Sequence, residues 1–135
     1  MTVEVVSLIN PDDLDRCAGS EPLRLSCKFV VVKHDEILHL VIGCISEYPY
    51  HANLLDRFCA IRGIASSWIK KPDYVEIYDD SVEIRGGGHI VLDMEKETAL
   101  FSGYSTAYGC YEPSDIRLVT DCHDFFSGYQ VEIPE

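Results

Sequence analysis

The sequence predicts an α+β fold, and three features carry that expectation. Two runs rich in Val and Ile, "CKFVVVKH" at 27–34 and "ILHLVIG" at 37–43, follow each other with only "DE" between them. A stripe of helical period follows, formed by Leu54, Phe58, Ile61, Ala65 and Trp68. Strand-like runs then resume before a second helix signal and a last strand. This order of β-β-β-α, further strands and α-β lacks the regular alternation of a doubly wound sheet. It points instead to helices packed against one sheet.

The elements read in order as follows. "VEVVSLI" (3–9) is a first strand closed by Asn10-Pro11, and residues 10–25, rich in turn formers, are a loop. The two Val/Ile-rich runs form a hairpin whose two-residue link lacks the favoured glycine. The helix starts near Ala52 and continues past Trp68, with Lys70-Lys71-Pro72 as its cationic end and stop. "YVEIYDDSVEI" (74–84) reads as one or two strands, Gly86-Gly87-Gly88 as a sharply bent turn or bulge between strands, and "IVLD" and "TALFSGYS" as further strands. Pro113, with acidic neighbours Glu112 and Asp115, opens a short second helix that fades near Phe125–Phe126. "YQVEI" (129–133) closes the chain as a strand. No linker-like stretch divides the 135 residues, so one domain over 1–135 is expected. Ser-Gly-Tyr at 102–104 and 127–129 is too short to count as a repeat.

The charge balance narrows the function. With 11 Lys+Arg against 23 Asp+Glu, the net charge is −12, which argues against a nucleic-acid or anionic-membrane partner. A small anion is still admissible, because a few convergent donors make a local positive site on an acidic protein. The N-terminus has no basic region or cleavage signal, and no apolar run is long enough to span a bilayer. A cytoplasmic address and six reduced cysteines, at 17, 27, 44, 59, 110 and 122, are the expectation. No metal-ligand spacing occurs. His34 and His39, five apart on strand-like segments, are expected on opposite faces, and Cys122-His123 is a single adjacent pair.

Four places could carry chemistry. His51, in "SEYPYHANLLDRF" (46–58), stands at the expected helix start, where unpaired first-turn N–H groups make an anion site. The positive helix end keeps its ring neutral, so it is either a packed core histidine or a general base or nucleophile. Lys28, a cation within an apolar strand, is either exposed by alternation or a point charge for phosphate. Ser105, Thr106 and Ala107, in "YSTAYG" (104–109), offer hydroxyls and N–H groups at a strand end, or simply satisfy local backbone groups. The triple glycine at 86–88 is a bulge, or a set of N–H groups open to an anion.

Taken together, "YHANLLDRF" (50–58), "RGGGHI" (85–90) and "SGYSTAYG" (102–109) resemble the Janus/Ocnus family, which includes the protein histidine phosphatases. "CKFVVVK" fits that family's early lysine-bearing strand, and the likeness runs from about residue 26 to the final strand. The resemblance implies a mixed six-stranded sheet with two helices, no metal or other cofactor, and hydrolysis of the N–P bond of phosphohistidine. It implies His51 as catalytic base or nucleophile and Lys28 as phosphate ligand. Ser105 and the backbone of Ala107 would grip the phosphate oxygens, beside Thr106, and the N–H groups of His51 and Ala52 would complete the cradle. Tyr50 would pack beside the histidine. The implied partner is a phosphohistidine-containing protein or another phosphoramidate, met by a monomer.

Two family arginines are absent. The position after the triple glycine is His89, and "VIGCISEYP" contains no arginine. Arg85, on the near side of the glycines, is the candidate to replace them. The alternative function is therefore a regulatory module of the same fold that binds phosphate or phosphoprotein with little or no turnover.

Overall fold

The computed structural model describes residues 2–12 and 24–134. Among the described residues the main layer is a mixed six-stranded sheet, with a small two-stranded sheet and two α-helices beside it. The strands are β1 (Thr2–Ser7), β2 (Arg24–His34), β3 (Ile37–Cys44), β6 (Val82–Asp93), β7 (Thr98–Ser102) and β8 (Gln130–Glu132), arranged β1-β3-β2-β6-β7-β8. The outer pairs β1/β3 and β7/β8 are parallel and the inner pairs antiparallel. β4 (Ser66–Lys70) and β5 (Tyr74–Ile77) form the small antiparallel sheet. The helices are α1 (His51–Arg62) and α2 (Pro113–Cys122), and a 3-10 turn at Asp124–Phe126 follows α2.

The period-2 pattern of the central strands explains why both faces are covered. On β2, Cys27, Phe29 and Val31 join one apolar cluster, with Leu40, Ile42, Ile90 and Phe101 from neighbouring strands and Ile116 and Val119 from α2. The alternate residues Val30 and Val32 join a second cluster with Val41 of β3 and with Leu54, Leu55 and Phe58 of α1. Phe29, Phe58 and Phe101 are each fully buried, a contribution of about 1.5–3 kcal/mol per side chain. Lys28 has the parity of Val30 and so belongs to the α1 face. His89, its partner across the β2/β6 ladder, shares that face. This parity places the site.

The "DE" link does form a two-residue turn. Asp35 and Glu36 both take left-handed φ, at 53° and 61°, the geometry that matches the strand twist in a tight hairpin. The hairpin also corrects one expectation. His39 pairs with Val32 while His34 pairs with Ile37, so the chain reversal puts both rings on the α1 face, 6.5 Å apart. The stretch predicted as the loop 10–25 lies partly outside the described residues, as does Cys17, and β2 begins earlier than expected, at Arg24.

The first helix is shorter than its apolar stripe. Gly63 adopts φ 68°, ψ 31° and its N–H donates to the Cys59 carbonyl, a left-handed cap that ends α1 at Arg62. Ile61 is half exposed, and Ala65 and Trp68 lie beyond the helix, Trp68 within β4. Lys71 and Pro72 belong to the β4–β5 turn. The triple glycine is likewise not a connection between strands, because Gly86, Gly87 and Gly88 are interior to β6. One extra residue is accommodated there: Val30 pairs with Gly87 and Val32 with Ile84, a β-bulge in which Gly86 takes φ 100°. Among the described residues no helix is long and apolar enough to cross a membrane, and five cysteines are free thiols.

The fold also sets how stability responds to acid. Burial lowers the pKa of His39, His51 and His89 below the ordinary value near 6.5, with Arg62 adding to the effect at His39. An unfolded chain binds more protons at these groups, so their contribution is complete above pH 6.5 and is lost as pH falls through the lowered folded values. Urea unfolding is therefore expected to show stability decreasing below pH 6.5, before the carboxylates titrate. A stability that rose between pH 7 and pH 5 would contradict this.

Candidate functional site

At the end of the sheet where α1 begins, the α1 face opens into a cleft of about 590 Å³. Four segments wall it: Lys28 of β2, Tyr50 to Ala52 at the start of α1, His89 of β6, and the loop after β7, through Tyr104, Ser105, Thr106 and Ala107. Asp73 and Tyr74, from the turn into β5, complete the wall. The structure thus gathers into one cleft the candidates singled out above, except Arg85 and the triple glycine.

His51 is the first residue of α1, one position earlier than the spacing suggests, and Tyr50 is its N-cap. A tyrosine hydroxyl cannot fold back onto its own helix, and the Tyr50 side chain supplies no cap bond. Asn53 closes the start instead, its Oδ1 accepting from the Tyr50 N–H at 3.0 Å and its N–H donating to the Tyr50 carbonyl at 3.0 Å. The N–H groups of His51 and Ala52 have no partner among the described residues and remain open for an anion.

His51 is 7% exposed. Its Nε2 lies 2.9 Å from the Gly88 carbonyl. A carbonyl only accepts, so Nε2 carries the proton and donates, and in the neutral ring Nδ1 holds the lone pair. Burial pushes the ring pKa down. The Gly88 bond opposes that shift, and the Lys28 and His89 charges add to it. The neutral tautomer with a bare Nδ1 is therefore the resting form near neutral pH. His89 meets His51 edge to face, with ring centres 5.8 Å apart, and is itself held low by burial and by Lys28.

The glycines explain how a buried imidazole fits against a strand. A Cβ on Gly87 would stand 3.0 Å from His51 Cδ2 and 2.6 Å from the Phe29 carbonyl oxygen. On Gly86 it would collide with the backbone of Cys110 and Tyr111. The Gly87 N–H donates to the Gly109 carbonyl at 3.1 Å, so it is not open to an anion. The triple glycine seats the histidine and lets the 109–111 segment run close beside β6, where Cys110 bridges Gly87. Gly103, at φ 71°, plays the same part for His89: a Cβ there would come within 2.6 Å of its ring.

The 105–109 loop is held tightly. The Ser105 N–H donates to the Gly109 carbonyl at 3.1 Å, and the Gly109 N–H donates back to Ser105 at 2.8 Å. Ser105 Oγ accepts from the Tyr108 N–H at 3.1 Å, which leaves its hydroxyl proton free to donate. The N–H groups of Thr106 and Ala107 have no partner among the described residues. Lys28 Nζ lies 5.8 Å from the Tyr50 ring centre, and burial lowers its pKa.

Arg85 is the candidate that stands apart. Its guanidinium makes a forked pair with Asp115 of α2, at 2.8 and 3.3 Å, and also reaches Glu83 at 3.4 Å. It is not among the cleft-lining residues, so it does not replace the missing arginines. Asp73, Tyr74 and Tyr104 line the cleft but escaped the sequence reading. Tyr104 opens a motif already singled out, whereas Asp73 and Tyr74 arrive through a turn with no local signature. The chain matches no protein-family model and no curated protein.

Proposed function

We propose that the protein is a metal-independent phosphohydrolase resembling the protein histidine phosphatases, one that cleaves the N–P bond of phosphohistidine. The observation that carries this reading is the fixed tautomer of His51: a neutral ring tied through Nε2 to Gly88, in a cleft it shares with Lys28 and Ser105. Lys28 Nζ, the Ser105 hydroxyl and the N–H groups of His51, Ala52, Thr106 and Ala107 supply donors for the phosphoryl oxygens. Aimed where charge spreads in the transition state, such donors provide most of what phosphoryl transfer requires.

In the direct route, His51 Nδ1 takes a proton from water as the oxygen attacks phosphorus. The O–P bond forms, the N–P bond breaks, and the leaving imidazole nitrogen keeps the bonding pair and takes up that proton. In the two-step route Nδ1 itself attacks phosphorus, and its N–P bond forms as the substrate N–P bond breaks. The leaving imidazole nitrogen keeps the bonding pair and takes a proton from water. The hydroxide left then attacks phosphorus, the His51 N–P bond breaks, and Nδ1 regains its lone pair as phosphate is released. Both routes need the same neutral ring. The working partner in this reading is a phosphohistidine-bearing protein or another phosphoramidate, met by a cytoplasmic monomer.

One observation favours a second reading. Lys28 is the only lysine or arginine among the described lining residues, and a cleft with one cation could bind phosphate without efficient turnover. Lys28→Ala separates the two. It is expected to weaken phosphate binding about ten- to a hundredfold, the worth of one charge-assisted contact, and to lower kcat/KM in step. Phosphate affinity unchanged in a calorimetric titration of the variant would sink the assignment of Lys28.

A further inference from the structure

The mouth of the cleft has a character that phosphate chemistry does not explain. Tyr50, Tyr74 and Tyr104 all line it, yet they are 44%, 39% and 63% exposed. Tyr74 stacks on Tyr108 with ring centres 5.2 Å apart at 20°. The Tyr108 hydroxyl accepts from the Val75 N–H at 2.8 Å and donates to the Val75 carbonyl at 3.1 Å. Tyr74 is thus a ring fixed in place before any ligand arrives, and it loses little freedom on binding. Beside it stands Asp73, the only acidic residue among the described lining residues. Asp73 pairs with Lys70 at 3.6 Å, but both side chains are more than half exposed, so the pair is weak and exchangeable.

A carboxylate at the mouth of an anion-binding cleft is unfavourable for a free phosphate. It becomes favourable if the bound molecule carries a positive charge next to its phosphoryl group. Tyrosine faces attract a cation, and arginine can stack on a ring while its fork meets a carboxylate. The net charge of −12 favours the approach of such a partner and opposes an acidic one. Lys28, deeper in the cleft, would be matched by the phosphoryl group in the same arrangement.

We propose that Tyr50, Tyr74, Tyr104 and Asp73 form a specificity rim that selects a phosphorylated residue with an arginine or lysine next to it in the substrate polypeptide. This rests on the reading of the inner cleft as a phosphoryl site.

Binding tests it apart from turnover. Two peptides carrying a non-hydrolysable phosphonate analogue of phosphohistidine, one with a neighbouring arginine and one with glutamate, are titrated calorimetrically into wild type and Asp73→Asn. The arginine peptide is expected to bind wild type at least about tenfold more tightly. Asp73→Asn is expected to reduce that preference about threefold or more, with inorganic phosphate binding no worse. Equal affinities in wild type, or a full preference surviving in both Asp73→Asn and Tyr74→Leu, would overturn the rim and leave the inner site standing. If neither peptide nor inorganic phosphate binds, the inner site itself is wrong and the rim falls with it.

Discussion

His51→Ala protein is expected to release phosphate from phosphohistidine at least about a hundredfold more slowly than wild type, the usual contribution of a positioned base or nucleophile. The loss should appear in kcat and kcat/KM together, because the ring acts on the transition state. The fold should survive at a cost. Removing the ring of this buried residue strips the Gly88 carbonyl of its donor, worth about 1–3 kcal/mol. His51→Gln keeps an N–H that can reach Gly88 but has no basic nitrogen. The pair therefore separates chemistry from packing: both variants should be inactive, and Gln the more stable. Wild-type rates in either would remove His51 from the mechanism.

Gly87→Ala should damage both the fold and the site with a single methyl. The added carbon would meet the Phe29 carbonyl oxygen at 2.6 Å, Val30 Cγ1 at 3.2 Å and the His51 ring at 3.0 Å. Phe29 is fully buried on β2, which is paired on both sides, so that carbonyl has nowhere to go. A destabilisation of about 2–4 kcal/mol is expected, together with loss of activity as the imidazole is pushed from its seat. Gly63→Ala is the control, since φ there is 68° but no atom lies within 4 Å of the new carbon; strain alone should cost about 1 kcal/mol. Urea midpoints compare the two. If Gly87→Ala proves no worse than Gly63→Ala, the close approach of ring and strand is not what the glycine serves.

Local chemistry was legible in the sequence, and pairing across the sheet was not. The β2–β3 hairpin could be read from two Val/Ile-rich runs and a two-residue link, although Asp35 and Glu36 fill left-handed positions that glycine would usually take. The start of α1 was readable to within one residue. Its end was not, because the apolar spacing runs on into β4, and Gly63 was the stop signal that the spacing obscured. His34 and His39 looked like opposite faces only while the chain was counted as one strand. The hairpin reverses that parity.

The site shows the same division. His51, Lys28, Ser105 and Ala107 stood out by residue type and motif, and the fold brings them to one cleft. Arg85 was a reasonable candidate until Asp115, thirty residues away, proved to hold it. Asp73 and Tyr74 could not have been found, since a sheet of two short strands carries them to the cleft mouth and neither lies near a motif. Sequence reasoning picked out the reactive residue types, and long-range packing decided which of them share a cavity.

The most direct test of the central claim is phosphate release from a phosphohistidine-containing peptide by wild-type protein in excess EDTA. Steady release of inorganic phosphate that EDTA does not slow is the expected result. No release above the uncatalysed rate, from protein that still binds phosphate in the cleft, would contradict it and leave a site that recognises the phosphoryl group without cleaving it.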